Sequence, residues 1–141
     1  MKRILLPLLL ATSLFASSQI NCLTEALYFE ARGSSYADQA GVADVILNRV
    51  ESSNYPNTIC EVVHQYKQFS YYWDGKSDRM KDLDAKESAR LLAVQVVVFK
   101  AYRGLTEKSL FYHANYVNPY WAKSYQFVST IGSHKFYRIK D

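Results

Sequence analysis

The sequence is poor in the residues that punctuate or staple a chain. Three prolines and five glycines in 141 residues leave no linker, low-complexity tract or repeat, so the chain reads as one globular unit of ordinary domain size. Two cysteines are too few for a disulfide-rich scaffold. Neither a Cys-x-x-Cys nor an HExxH pattern occurs, so no local metal signature is present and no metal or cofactor is expected. Clustered Lys and Arg are missing as well. The formal net charge of +4 falls by two once Lys2 and Arg3 are set aside, which suits an anionic wall polymer or membrane surface but is no footprint for nucleic acid.

The long apolar run is confined to the start. Lys2 and Arg3 form a basic n-region, Ile4 to Phe15 an apolar segment, and Ala16-Ser17-Ser18 a small-residue cleavage site, so residues 1–18 are expected to be a secretory signal and 19–141 the mature domain. An uncleaved anchor is the alternative, because the run is only slightly short of the roughly 17 residues a spanning helix needs. Lipidation at Cys22 is disfavoured, since Gln19-Ile20-Asn21 lacks the small residue usual before a lipidated cysteine. Export makes Cys22 and Cys60 natural disulfide partners in an oxidising periplasm or exterior, with two buried thiols as the other possibility.

What the chain does have is helical periodicity followed by aromatic, β-branched segments. In "LTEALYFEARG" the 100° step puts Leu23, Ala26, Leu27 and Glu30 on one stripe, with Gly33 ending the helix. Ser35 with Asp38 opens a second helix carrying Tyr36, Ala40, Ala43, Leu47 and Val50, and Gly41 inside it signals close packing. Thr58 with Glu61 caps a short helix to about Gln65. Asp84 with Glu87 is expected to cap the longest helix, "AKESARLLAVQVVVFKAYR", ended by Gly104 and apolar nearly all round, hence central in the core. "SLFYHA", "YQFVSTIG" and "HKFYRI" predict a small C-terminal sheet, and the whole an α+β domain with several helices.

One residue is out of place on this pattern: Glu30 puts a carboxylate on an apolar stripe. Such a group either reaches an arginine such as Arg49 or Arg138, or serves as a general acid whose pKa burial has raised. A second candidate site is "KQFSYYWDG", with a turn at Asp74-Gly75, because aromatic rings beside a carboxylate match the apolar faces and hydroxyl edges of a sugar. "YHANYVNPYWAKSY" adds further rings and His113. Core packing is the competing account of each aromatic, and hydrogen-bonded structural roles that of His113 and His134.

Six ordered blocks, "ALYFEARG", "VADVILNRV", "YPNTICEVV", "QFSYYWDG", "LFYHA" and "IGSHKFYR", together resemble the SleB-type cell-wall hydrolases, known from spore-cortex lysis and from secreted bacterial and phage proteins. The resemblance runs from about Cys22 to Arg138. It implies a lysozyme-like α+β fold, peptidoglycan as partner, and cleavage between N-acetylmuramic acid and N-acetylglucosamine. It also implies Glu30 as the catalytic acid, with Gln68, Phe69, Trp73, Asp74, Tyr112, His113 and Trp121 as substrate-binding candidates. Relatives commonly carry an acidic residue where this chain has Ser34 and a glycine where it has Asp38, whereas the pair matching Cys22 and Cys60 is kept.

A lytic transglycosylase needs one acid, which favours that reading. A hydrolase of two-carboxylate type would recruit Asp74 beside Glu30, and a catalytically silent wall-binding protein would keep only the groove. A monomer working outside the cytoplasm is expected, with no nucleic acid and no membrane contact beyond transit of the signal.

Overall fold

The computed structural model describes residues 5–65 and 79–141, with side chains from residue 13 onward. In chain order come α1 (Leu5–Ala31), α2 (Tyr36–Glu51), α3 (Ile59–Val63), α4 (Leu83–Phe99), β1 (Phe111–Ala114), a 3-10 turn (Tyr120–Ser124), β2 (Gln126–Ile131) and β3 (His134–Arg138). This is the α+β architecture expected: helices packed around one core, and a three-stranded antiparallel sheet in the order β1-β3-β2.

Local chemistry sets most boundaries. Ser35 caps α2 by accepting from the Asp38 N–H while the Asp38 carboxylate returns to the Ser35 N–H, a complete capping box. Thr58 caps α3 by accepting from the Glu61 N–H, while its hydroxyl donates to the Glu61 carboxylate rather than leaving that carboxylate to the Thr58 N–H. Gly33, at φ +86°, ends α1 where a side chain would be strained. Leu23, Ala26 and Leu27, the apolar part of the stripe leading to Glu30, are fully buried together with Val42, Ala43, Ile46, Val62 and Leu92.

Three expectations about α4 are corrected. Its N-cap is Asp82, which accepts from the Ala85 N–H at 3.0 Å, rather than Asp84. It stops at Phe99, five residues before Gly104, with Lys100 in the left-handed region at φ 53°. The reason is long-range: the buried Asp44 carboxylate of α2 takes the Gly104 N–H, the Thr106 N–H and hydroxyl, and the Arg103 guanidinium. Those donors hold residues 103–106 in turns instead of another helical turn. Nor is α4 buried all round. Ala89, Leu92, Ala93 and Val96 form the inward stripe, packed mainly on α1, while Leu91, Val98 and Phe99 are exposed.

The longest helix is α1, continuous from Leu5 through the expected cleavage site. Residues 13–18 are largely exposed, and burial begins at Gln19, whose Oε1 accepts from the Cys60 N–H at 3.2 Å. No described helix is long and apolar enough to cross a membrane. Cys22 and Cys60 form a disulfide joining α1 to α3; closing a loop of 38 residues stabilises by about 3 to 4 kcal/mol through lost unfolded-chain entropy.

Candidate active site

Glu30 lies in the last turn of α1, where the buried stripe meets the edge strand of the sheet. Its side chain keeps partial exposure, but Oε1 is buried and has no hydrogen-bond partner. Burial pushes its pKa above the usual carboxylate value, opposed by a hydrogen bond from Tyr112 and by the positive charge of Arg49. The balance leaves the pKa raised. None of the groups acting on Glu30 among the described residues is a carboxylate.

Both neighbours are fixed by the fold. Arg49 is buried on α2, its Nε donating to the Leu110 carbonyl at 2.8 Å and its guanidinium 5.2 Å from the Tyr55 ring. Burial lowers the Arg49 pKa, yet a guanidinium stays charged at any physiological pH. Burial, with the adjacent Glu30, drives the Tyr112 phenol strongly upward, so Tyr112 acts as a neutral O–H donor. Arg138, the other arginine proposed as a partner, bonds Gln126 at 3.2 Å instead.

Strand alternation separates the remaining candidates. Tyr112 faces inward beside Phe136 and His134, whereas Phe111 and His113 face the other way. On that outer face His113 bonds the Tyr137 hydroxyl through Nε2 at 2.8 Å, and Trp121 packs against Phe111, His113, Tyr125 and Tyr137. The structure therefore brings Tyr112 to Glu30 and groups His113 with Trp121 in an aromatic cluster on the other face of the sheet. Gln68, Phe69, Trp73, Asp74 and the turn at Asp74-Gly75 lie outside the described residues.

Sequence reasoning missed the network on α2. Asp44 and Asn48, one turn apart, reach across to the 103–109 segment; Asn48 Nδ2 donates to the Ser109 carbonyl at 2.9 Å and to Thr106 Oγ1 at 3.2 Å. The available signal was a polar pair interrupting an apolar helix at i, i+4. A cavity of about 670 Å³ opens beside this network, lined by Leu47, Glu51, Val97, Arg103 and Lys108 among others, and holds none of Glu30, Tyr112 or Arg49. Among the described residues no cluster of His, Cys, Asp or Glu is arranged for a metal.

The sequence profile of the cell wall hydrolase family matches residues 33–137. The chain belongs to the cell wall hydrolase family. Glu30 itself lies just before the matched range. Among curated relatives of this cell wall hydrolase, the spore cortex-lytic enzyme of Bacillus subtilis (strain 168) is 35% identical over 74 residues, 52% of this chain and 24% of that protein. That of Bacillus cereus is 39% identical over 62 residues, 44% and 24% of the two chains. The chain thus spans about a quarter of the length of these relatives. Among solved structures, the catalytic domain of the germination-specific lytic transglycosylase SleB from Bacillus anthracis superposes with a TM-score of 0.70 at 29% identity, covering 85% of this chain and 93% of that one. The catalytic domain of the Bacillus cereus SleB protein gives 0.69 at 27% identity, over 86% and 91%.

Proposed function

We propose that this chain cleaves peptidoglycan glycan strands between N-acetylmuramic acid and N-acetylglucosamine as a lytic transglycosylase, with Glu30 as its single acid and base. The observation that carries the reading is the environment of Glu30: a partly buried carboxyl whose pKa burial raises, with a phenol and a guanidinium as the groups acting on it among the described residues. In this scheme the Glu30 proton passes to the glycosidic oxygen as the bond to the muramic anomeric carbon breaks. The resulting carboxylate, stabilised by Arg49 and by the Tyr112 hydroxyl, then accepts the proton of the muramic acid 6-hydroxyl as that oxygen closes on the anomeric carbon. The substrate's own N-acetyl group supports the oxocarbenium-like state, so no nucleophilic carboxylate is required. The likeness to the catalytic domain of the germination-specific lytic transglycosylase SleB from Bacillus anthracis supports the same chemistry.

Residues 1–18 act as a signal in this reading and 19–141 as an exported monomeric domain. The onset of burial at Gln19 and the disulfide, which suits an oxidising compartment, favour it. Tyr112 is retained as a substrate-facing group, and Gln68, Phe69, Trp73 and Asp74 remain proposed contacts of the glycan on sequence grounds.

Glu30→Gln tests the central role. The amide keeps the shape but cannot donate and re-accept a proton, so lysis of purified sacculi is expected to fall at least ~100-fold, the range of general acid catalysis, with the melting temperature retained. A folded variant with near-parental lysis would remove Glu30 from the reaction.

A further inference from the structure

Behind Tyr112 sits a buried acid–imidazole pair that the scheme above does not use. Asp38 Oδ1 accepts from His134 Nδ1 at 2.7 Å and from the Ser133 N–H at 2.8 Å, while Oδ2 accepts from the Ser35 hydroxyl at 2.6 Å and the Ser35 N–H at 3.1 Å. Its side chain is 3% exposed and that of His134 10%. An ionised carboxylate only accepts, so the hydrogen is on Nδ1 and the ring plane is fixed.

The imidazole then meets Tyr112. The two rings are edge-on, centroids 5.6 Å apart at 73°, and Phe136 closes on Tyr112 at 6.1 Å. Register accounts for this: Tyr112 pairs with Phe136 and Ala114 with His134, which makes Tyr112 and His134 diagonal neighbours on the inward face. Clamping the β2–β3 turn to α2 needs only Asp38 and the Ser133 N–H. The imidazole adds a rigid wall against a phenol carried on a four-residue edge strand, where rotamer freedom would otherwise be largest.

We propose that His134 is a positioning residue for the Glu30 acid: held by Asp38 through Nδ1, its ring fixes the Tyr112 phenol in hydrogen-bonding position against the Glu30 carboxyl. The proposal rests on the reading of Glu30 as the proton donor. The charged and titratable groups involved are Tyr112 and Arg49 around Glu30, and Asp38 and Tyr112 around His134.

Activity that needs protonated Glu30 declines as pH rises through its pKa, and the Tyr112 hydrogen bond holds that pKa down. The test is the pH profile of sacculus lysis for Tyr112→Phe, His134→Asn, His134→Phe and the Tyr112→Phe/His134→Asn double variant. Tyr112→Phe moves the alkaline limb upward, by about half a pH unit or more for loss of one hydrogen bond to the charged form. In His134→Asn the side-chain amide reproduces the Nδ1 donor and keeps the Asp38 clamp but removes the ring, so the limb moves the same way. The double variant moves no further than Tyr112→Phe alone. His134→Phe keeps the ring wall and the parental limb at a lower melting temperature. Should His134→Asn not fold, His134→Leu against His134→Phe makes the same comparison of wall without and with a ring. A folded His134→Asn protein, or in its absence His134→Leu, with the parental limb while Tyr112→Phe is shifted overturns the proposal alone. An unmoved limb in Tyr112→Phe overturns it together with the Tyr112–Glu30 part of the functional reading.

Discussion

Glu30 and Asp38 show how the pKa values of two carboxylates eight residues apart come to be shifted in opposite directions. Burial acts on both in the same direction, upward. For Glu30 burial outweighs one hydrogen bond and the Arg49 charge, and the pKa stays raised. For Asp38 burial is overcome by hydrogen bonds from Ser35, His134 and Ser133, and the pKa falls from 3.8 to about 2. A depressed folded-state pKa contributes stability that is present above the unfolded value and lost as pH drops through the folded one. Acid unfolding is therefore expected to include a loss of about 2 kcal/mol between roughly pH 4 and pH 2 from Asp38 alone. Asp38→Asn should flatten that part of the stability curve and lower stability at neutral pH by a similar amount, which denaturant melts at a series of pH values measure. An unchanged acid limb would show that Asp38 titrates elsewhere.

Between α2 and the sheet the packing has no slack. A Cβ built on Gly41 would lie 2.6 Å from Phe136 Cζ, so the helix approaches the sheet at a distance only glycine permits. Gly41→Ala should therefore destabilise by about 1 to 3 kcal/mol through overpacking, even though alanine is the better helix former by roughly 1 kcal/mol; a rise in melting temperature would mean that Phe136 gives way freely. On the outer face, Trp121→Ala should cost less than the roughly 3 to 5 kcal/mol of a fully buried aromatic, because the ring is only partly buried, with lysis per folded molecule near parental. A stable variant with weakened lysis would instead return Trp121 to the glycan site. These contacts also mark what the sequence reveals and what it hides. The capping residues Ser35 and Thr58, the Gly41 contact, the stripe leading to Glu30 and the three C-terminal strands are legible because each is written in neighbouring residues. The early end of α4 is not, because Asp44, some sixty residues earlier, takes the backbone donors there. Alternation along "FYHA" separates Tyr112 from His113 but does not say which of them faces α1. Only the pairing with β3 and the burial of Phe136 decide that.

The molecule as a whole is arranged to hold the end of one helix still. The disulfide ties α1 to α3, and the hydroxyl of Tyr28, further along α1 toward Glu30, accepts from the Asp82 N–H at 3.0 Å and from Arg32 at 2.6 Å, tying the same helix to the start of α4. Arg49 from α2 and Tyr112 from the sheet then converge on Glu30 from two further elements. In the proposed mechanism such a scaffold keeps one geometry for an acid that is protonated before the substrate arrives and ionised after the bond breaks. The single-acid mechanism makes one direct prediction about product. Mass spectrometry of the soluble fragments released from purified sacculi should show muramic acid termini in the 1,6-anhydro form, and Glu30→Gln should release none. Fragments ending in ordinary reducing muramic acid, with no anhydro form, would mean that water rather than the 6-hydroxyl attacks the anomeric carbon, and would contradict the transglycosylase assignment.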